Sequence, residues 1–129
     1  MKAIGLCLAL LLMPGLAWAQ TATPQFRHDL PNAPGKALIA VVVDYPPGTK
    51  SAPHSHAKSG FIYAYVVSGA IRSQVDDEPA KVYRAGESFF EMPGAHHKIS
   101  ENASTTEPAR LLAVFVVDPN DTPTTPDPR

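Results

Sequence analysis

From Lys36 onward the chain is a succession of short apolar, β-branched runs cut by glycine and proline: KALIAVVVDYPPG, GFIYAYVVSG, AIRSQV, AKVYRAG, ESFFEMPG and ARLLAVFVVD. After Gln20 no stretch keeps apolar residues at the three-and-four spacing of an amphipathic helix. Runs spaced by roughly 8 to 12 residues, each closed by turn-forming residues, predict an all-β domain, a sandwich or barrel of antiparallel strands. Turns are expected at Pro46-Pro47-Gly48, Ser68-Gly69, Asp76 to Pro79, Ala85-Gly86 and Pro93-Gly94. A polar loop is expected from Ser100 to Pro108 and a closing strand after it. The barrel so delimited spans residues 36–118. Before it, residues 20–35 read as an extended arm with a short strand near Phe26. After it, PNDTPTTPDPR places four prolines among residues 119–129 and predicts a disordered tail.

The first residues, MKAIGLCLALLLMPGLAWAQ, have one cation at Lys2, an apolar run from Ala3 to Met13, a Pro14-Gly15 break and Ala17-Trp18-Ala19. This is the pattern of a secretory signal peptide over residues 1–19, cleaved after Ala19. The apolar run is short of the roughly 20 residues a bilayer span needs. Cleavage leaves 129 − 19 = 110 residues, enough for one domain. It also removes Lys2, taking the formal charge from −1 to −2, and Cys7, the single cysteine. The mature chain therefore enters a periplasmic or extracellular space without a disulfide, and its stability rests on a packed core. Its near-neutral balance offers no footprint for nucleic acid and no polybasic patch for a membrane surface.

His54 and His56 stand at the mouth of the GFIYAYVV strand. Side chains at i and i+2 of a strand leave from one face, so both imidazoles can reach a shared metal ion at bond lengths of about 2.0 to 2.1 Å. A bare His-x-His is also common as a solvated surface pair. The surroundings are more specific. Gly48, His54, His56 and Gly69 fit G-x5-H-x-H-x3,4-E-x6-G, and Gly86, Gly94 and His97 fit G-x5-P-x-G-x2-H-x3-N. These two blocks resemble the motifs of the cupin family, over residues 37 to 117. The resemblance implies a small jelly-roll β-barrel, or double-stranded β-helix. It also implies that His54, His56 and His97 converge on a divalent ion such as Fe, Mn, Zn, Ni or Cu, and that a homodimer forms. The fit is incomplete. The motif's glutamate counts to Gly60 or Phe61 from His56 and to Ile62 from Gly69, none of them acidic. Met92 stands where proline is usual, and Glu101 where asparagine is usual, with Asn102 one position later.

Glu91, in the apolar strand SFFEM, is the candidate replacement for the missing acid, as metal ligand or catalytic base. A carboxylate facing the interior there is costly unless a cation or hydrogen bonds receive it; an outward charge is the alternative. Tyr63 is the second catalytic candidate, as a pocket phenol, with core wall as the plain alternative. Alternation puts Phe61, Tyr63 and Tyr65 on one face and Ile62, Ala64 and Val66 on the other without saying which is inside. His96 must point away from His97, to the rim or to solvent. The chain lacks a G-x-S-x-G elbow and a phosphate-cradling glycine loop, and the mature part lacks a cysteine nucleophile, which removes covalent hydrolase and nucleotide-dependent chemistry. Two functions remain: a metal-dependent oxidoreductase of the dioxygenase type acting on a small organic substrate, or a non-catalytic module that binds or senses a small molecule in the same pocket.

Overall fold

The computed structural model describes residues 19–129. The expected leader, with Cys7, lies outside the described residues save for Ala19. Ten strands follow: β1 (Thr21–Asp29), β2 (Ala37–Tyr45), β3 (His54–His56), β4 (Phe61–Ser68), β5 (Ala70–Val75), β6 (Lys81–Arg84), β7 (Ser88–Glu91), β8 (His96–Asn102), β9 (Ala109–Val117) and β10 (Thr124–Pro126). No helix occurs among the described residues. All pairings are antiparallel, in one sheet of order β1-β2-β9-β4-β7 and a second of order β10-β3-β8-β5-β6. The two sheets form a jelly-roll barrel, the all-β architecture that the strand spacing predicts.

The core lies between the sheets and is built by alternation. In β4 the even members Ile62, Ala64 and Val66 point inward, and β9 contributes Leu111, Ala113, Phe115 and Val117. One cluster gathers Tyr45, Ala64, Val66, Ile71, Phe89 and Leu111. The other gathers Ile39, Ile62, Ala113, Phe115 and Val117. Each large apolar side chain buried here contributes about 1.5–3 kcal/mol, and in a domain without a disulfide this packing is the main stabilising term. Gly69, between β4 and β5, has φ +69°, and a Cβ there would lie 2.4 Å from the Pro108 carbonyl oxygen. Only glycine lets the hinge pass so close to the start of β9.

Three expectations are corrected. The arm is a nine-residue edge strand, β1, paired with β2 along its length; its one irregularity follows Pro24, which an edge position tolerates. Tail residues 119–129 are not free: β10 pairs with β3, and the Asp127 amide donates to the Pro53 carbonyl. The prolines suggest disorder because they weaken a ladder, yet two or three bonds to a neighbouring edge suffice to hold the segment. Finally, Ser100 to Asn102 belong to β8, so the polar loop is 103–108. Asn102 closes that loop, donating to the Glu107 carbonyl and accepting from the Ser104 amide.

Candidate metal centre

His54 and His97 are direct cross-strand partners of β3 and β8, which puts their side chains on one face. His56, two residues along β3, joins them from the same face. The three rings surround a common point: centroid separations are 4.9 Å (His54–His56), 5.1 Å (His54–His97) and 6.3 Å (His56–His97). One ligand nitrogen from each lies within 4.8 Å of the others.

His97 owes its aim to a β-bulge. Val75 pairs with His97 while Gln74 pairs with Ile99, so Lys98 is passed over in the ladder. The extra residue resets the alternation of β8 so that His97 and Ser100, three apart, both face the cavity.

Glu91 reaches the same point from the other sheet. It pairs with Ile62 across β4 and β7, and Ile62 is where the motif's glutamate falls when counted back from Gly69. The carboxylate thus comes from the cross-strand neighbour of the expected position, on the same inward face. It is 3% exposed, 3.3 Å from His56 Nε2 and 3.2 Å from His97 Nδ1.

Each ring is held by its other nitrogen. His54 Nδ1 donates to the Ala52 carbonyl at 2.8 Å. His56 Nδ1 donates to the Pro123 carbonyl at 3.1 Å, with Thr124 Oγ1 at 3.2 Å. His97 Nε2 meets Ser73 Oγ at 2.8 Å. With Nδ1 donating to a carbonyl, the neutral rings of His54 and His56 present the Nε2 lone pair to the common point, and Ser73, able to donate or accept, leaves Nδ1 of His97 facing it, the outer-contact pattern that orients metal-ligating imidazoles. His56 Nε2 and Glu91 Oε1 are buried and complete no hydrogen bond. Two such orphans are costly unless a further group receives them, and a divalent cation matches an imidazole lone pair facing a carboxylate oxygen.

The electrostatics agree. Burial raises the Glu91 carboxyl, but His56, His97 and His54 outweigh it and hold the group below its ordinary range. Burial pulls His97 down to about 4 and also lowers His54. Burial lowers His56 as well, but the Glu91 carboxylate more than offsets this and leaves it raised.

The remaining candidates lie elsewhere. Tyr63 is 44% exposed on the outer face of β4, so it is not a pocket phenol; inward places on that strand are taken by Ile62, Ala64 and Val66. Tyr65 shares its outer face. His96 points away from His97 and binds Asp127 Oδ2 at 2.8 Å. Sequence reasoning missed Ser73, Pro123 and Thr124, which hold the rings, and Tyr45, whose buried hydroxyl bonds Ser51 and Ser100 at 2.9 and 2.7 Å. The Tyr45 signal was available, since a tyrosine closing a β-branched run needs a partner for its hydroxyl when buried. The histidines and Glu91 open onto a cavity of about 420 Å3, within the size range of small-molecule sites.

A family model described as Cupin domain matches residues 41–115, more than half of the chain. A search of curated proteins finds no match. Among solved structures, an uncharacterized conserved protein with a double-stranded β-helix domain from Klebsiella pneumoniae is similar with TM-score 0.67 and 20% identity, over 91% of this chain and 90% of that one. A predicted oxalate decarboxylase from Thermotoga maritima gives TM-score 0.54 and 20% identity, over 74% and 93%. An oxalate oxidase in complex with the substrate analogue glycolate gives TM-score 0.61 and 22% identity, over 79% of this chain but 53% of that one. Likeness at these identities is likeness of fold.

Proposed function

This chain belongs to the cupin family, and from that premise we propose that it binds a divalent metal ion through His54, His56 and His97, with Glu91 as fourth ligand or base, beside a pocket for a small organic molecule. The observation that carries this reading is that His56 Nε2 and Glu91 Oε1, both buried and facing each other's groups across more than 3 Å, complete no hydrogen bond among three anchored imidazoles. Metal analysis of the purified protein tests it. Wild type should hold close to one equivalent, and the double variant His54→Ala, His56→Ala should hold none; equal contents in the two would overturn the assignment.

The finer proposal is a metal-dependent oxidoreductase of the dioxygenase type. When bound, a divalent ion would supply Lewis acidity and access to redox chemistry. The protein's own part is to orient the imidazoles through Ala52, Pro123 and Ser73, to hold a carboxylate able to take a proton at Glu91, and to exclude water with the aliphatic wall. The second reading is a non-catalytic binding or sensing module. It is supported by Glu91 being, among the described residues, the single carboxylate lining the cavity, so that its ligation would leave no free carboxylate there as proton acceptor. Oxygen uptake by the metal-loaded protein with phenolic and dicarbonyl compounds separates the two. Uptake supports the enzyme, and ligand binding without uptake supports the module.

Export to the periplasm or medium belongs to the same proposal, resting on the leader of residues 1–19. So does a homodimer, supported by the outer edge of β1, which no strand of the described residues covers and whose nine residues are all exposed. Sedimentation of the mature chain tests the latter.

A further inference from the structure

Among the described residues, no lysine or arginine reaches the cavity beside the histidines. Its main wall is Ile39, Val41 and Val43 of β2 with Leu111, Ala113 and Phe115 of β9. Four of the barrel's cations are engaged outside the cavity: Lys36 with Asp118, Arg72 with Glu101, Lys98 with Asp77 and Arg110 with Asp44. Away from the histidines and Glu91, polarity in the wall is neutral. The hydroxyls of Tyr45, Ser51 and Ser100 bond one another and offer hydrogen bonds without charge.

Charge balance then limits what fits. A divalent ion facing the Glu91 carboxylate has one positive charge in excess, which a single negative charge cancels. A dicarboxylate would bring a second, against aliphatic groups and with no ammonium or guanidinium to receive it, and an unpaired buried charge is strongly disfavoured. An apolar body, by contrast, gains roughly 25 cal/mol for each Å2 it removes from water against this wall.

We infer that the site takes a small, largely apolar molecule with one oxygen donor, neutral or singly ionised, such as a phenol or an alcohol, and discriminates against dicarboxylates. The head-group part of this inference rests on the metal reading proposed above; the apolar-body part rests on the cavity wall alone.

The test uses the mature chain loaded with Co(II), titrated with 4-methylphenol and, separately, with succinate. Visible absorption of the ion and thermal stability are the two readouts. The expected result is saturation by 4-methylphenol with a Kd at least tenfold below that for succinate; equal or tighter binding of succinate would overturn the inference. Val41→Arg, which puts a cation into the wall, should strengthen succinate binding about tenfold and weaken 4-methylphenol. A folded Val41→Arg protein with unchanged preference would refute the charge argument. Should that variant not fold, the wild-type comparison still decides. If Co(II) fails to bind while 4-methylphenol, and not succinate, stabilises the metal-free protein, the ligand class stands and the metal reading falls. If Co(II) binds and succinate is preferred, the reverse holds.

Discussion

A carboxylate sealed inside an aliphatic barrel is stable only against positive or hydrogen-bonding partners, and among the described residues Glu91 has only imidazoles to meet that need. Glu91→Gln keeps the side chain's shape while removing its charge. Metal affinity, measured by competition with a chromophoric chelator, should fall at least tenfold, in the range typical for lost carboxylate support, while the metal-free variant stays folded. Unchanged affinity would place Glu91 outside the ligand set. Tyr63→Phe should leave both metal affinity and ligand binding unchanged, because its hydroxyl lies on the far side of β4 from the cavity. The contrast shows what single residues disclosed in advance. His54 and His56 were legible from the two-residue period, and Glu91 from its cost in an apolar run. The inward face of IYAYVV was not legible, because aromatic and aliphatic residues alternate there with similar hydrophobicity and only packing against β9 decides between them. Ser100 was hidden for another reason: the bulge at Lys98 shifts the alternation, and a bulge has no reliable signature in the side chains themselves.

Among the elements, β10 reaches furthest beyond its size. Three residues paired with β3 place the Pro123 carbonyl and the Thr124 hydroxyl against His56 Nδ1. Ending the chain after Asp121 should therefore lower metal affinity by about 10 to 100-fold, the cost of losing an orienting partner. The same truncation made on His56→Ala should have little further effect, since the ring it orients is gone. Additive losses in that cycle would mean that the tail acts on the site by some other route. The succession of strands along the chain and most boundaries were legible from Gly/Pro punctuation, while their order in the sheets was not read; β10 was missed because its composition is that of a disordered segment and its pairing depends on where the edge of β3 lies in space. Gly69 and Gly86 offer a paired test of the punctuation itself. Both have positive φ, but a Cβ at Gly86 meets nothing within 4 Å, whereas at Gly69 it strikes backbone. Gly86→Ala should cost about 1 kcal/mol in urea unfolding, the conformational term alone. Gly69→Ala should cost clearly more, and equal costs would show that the β4–β5 hinge can shift away from Pro108.

At the scale of the whole molecule, the site joins the two sheets: the imidazoles come from β3 and β8 of one, and the carboxylate from β7 of the other. An ion bound by all four would bind the folded state and not the unfolded chain, adding about 2.7 kcal/mol when free metal is 100 times Kd, or on the order of 10 °C in Tm for a domain of this size. Acid should remove stability in two separable ways. In chelator-treated protein, His97 is held at about 4 against an ordinary 6.5. Between those values the unfolded chain takes up a proton that the folded chain refuses, so stability falls as the pH drops through that window. His54, also lowered, acts in the same direction. Glu91, lowered, adds stability that is present above the ordinary carboxylate range and lost on further acidification. His56, raised, opposes them: its contribution is complete below 6.5 and disappears as pH rises through its higher folded value. The net expectation is a Tm that declines from pH 7 to pH 5 in chelator, and less steeply in His97→Gln, which cannot take up the proton. In the metal-loaded protein the decline should be steeper still, because protons displace the ion from its imidazoles, so that the loaded and chelated curves converge as the solution is acidified. Parallel curves across that range would mean that the bound metal sits away from the histidines.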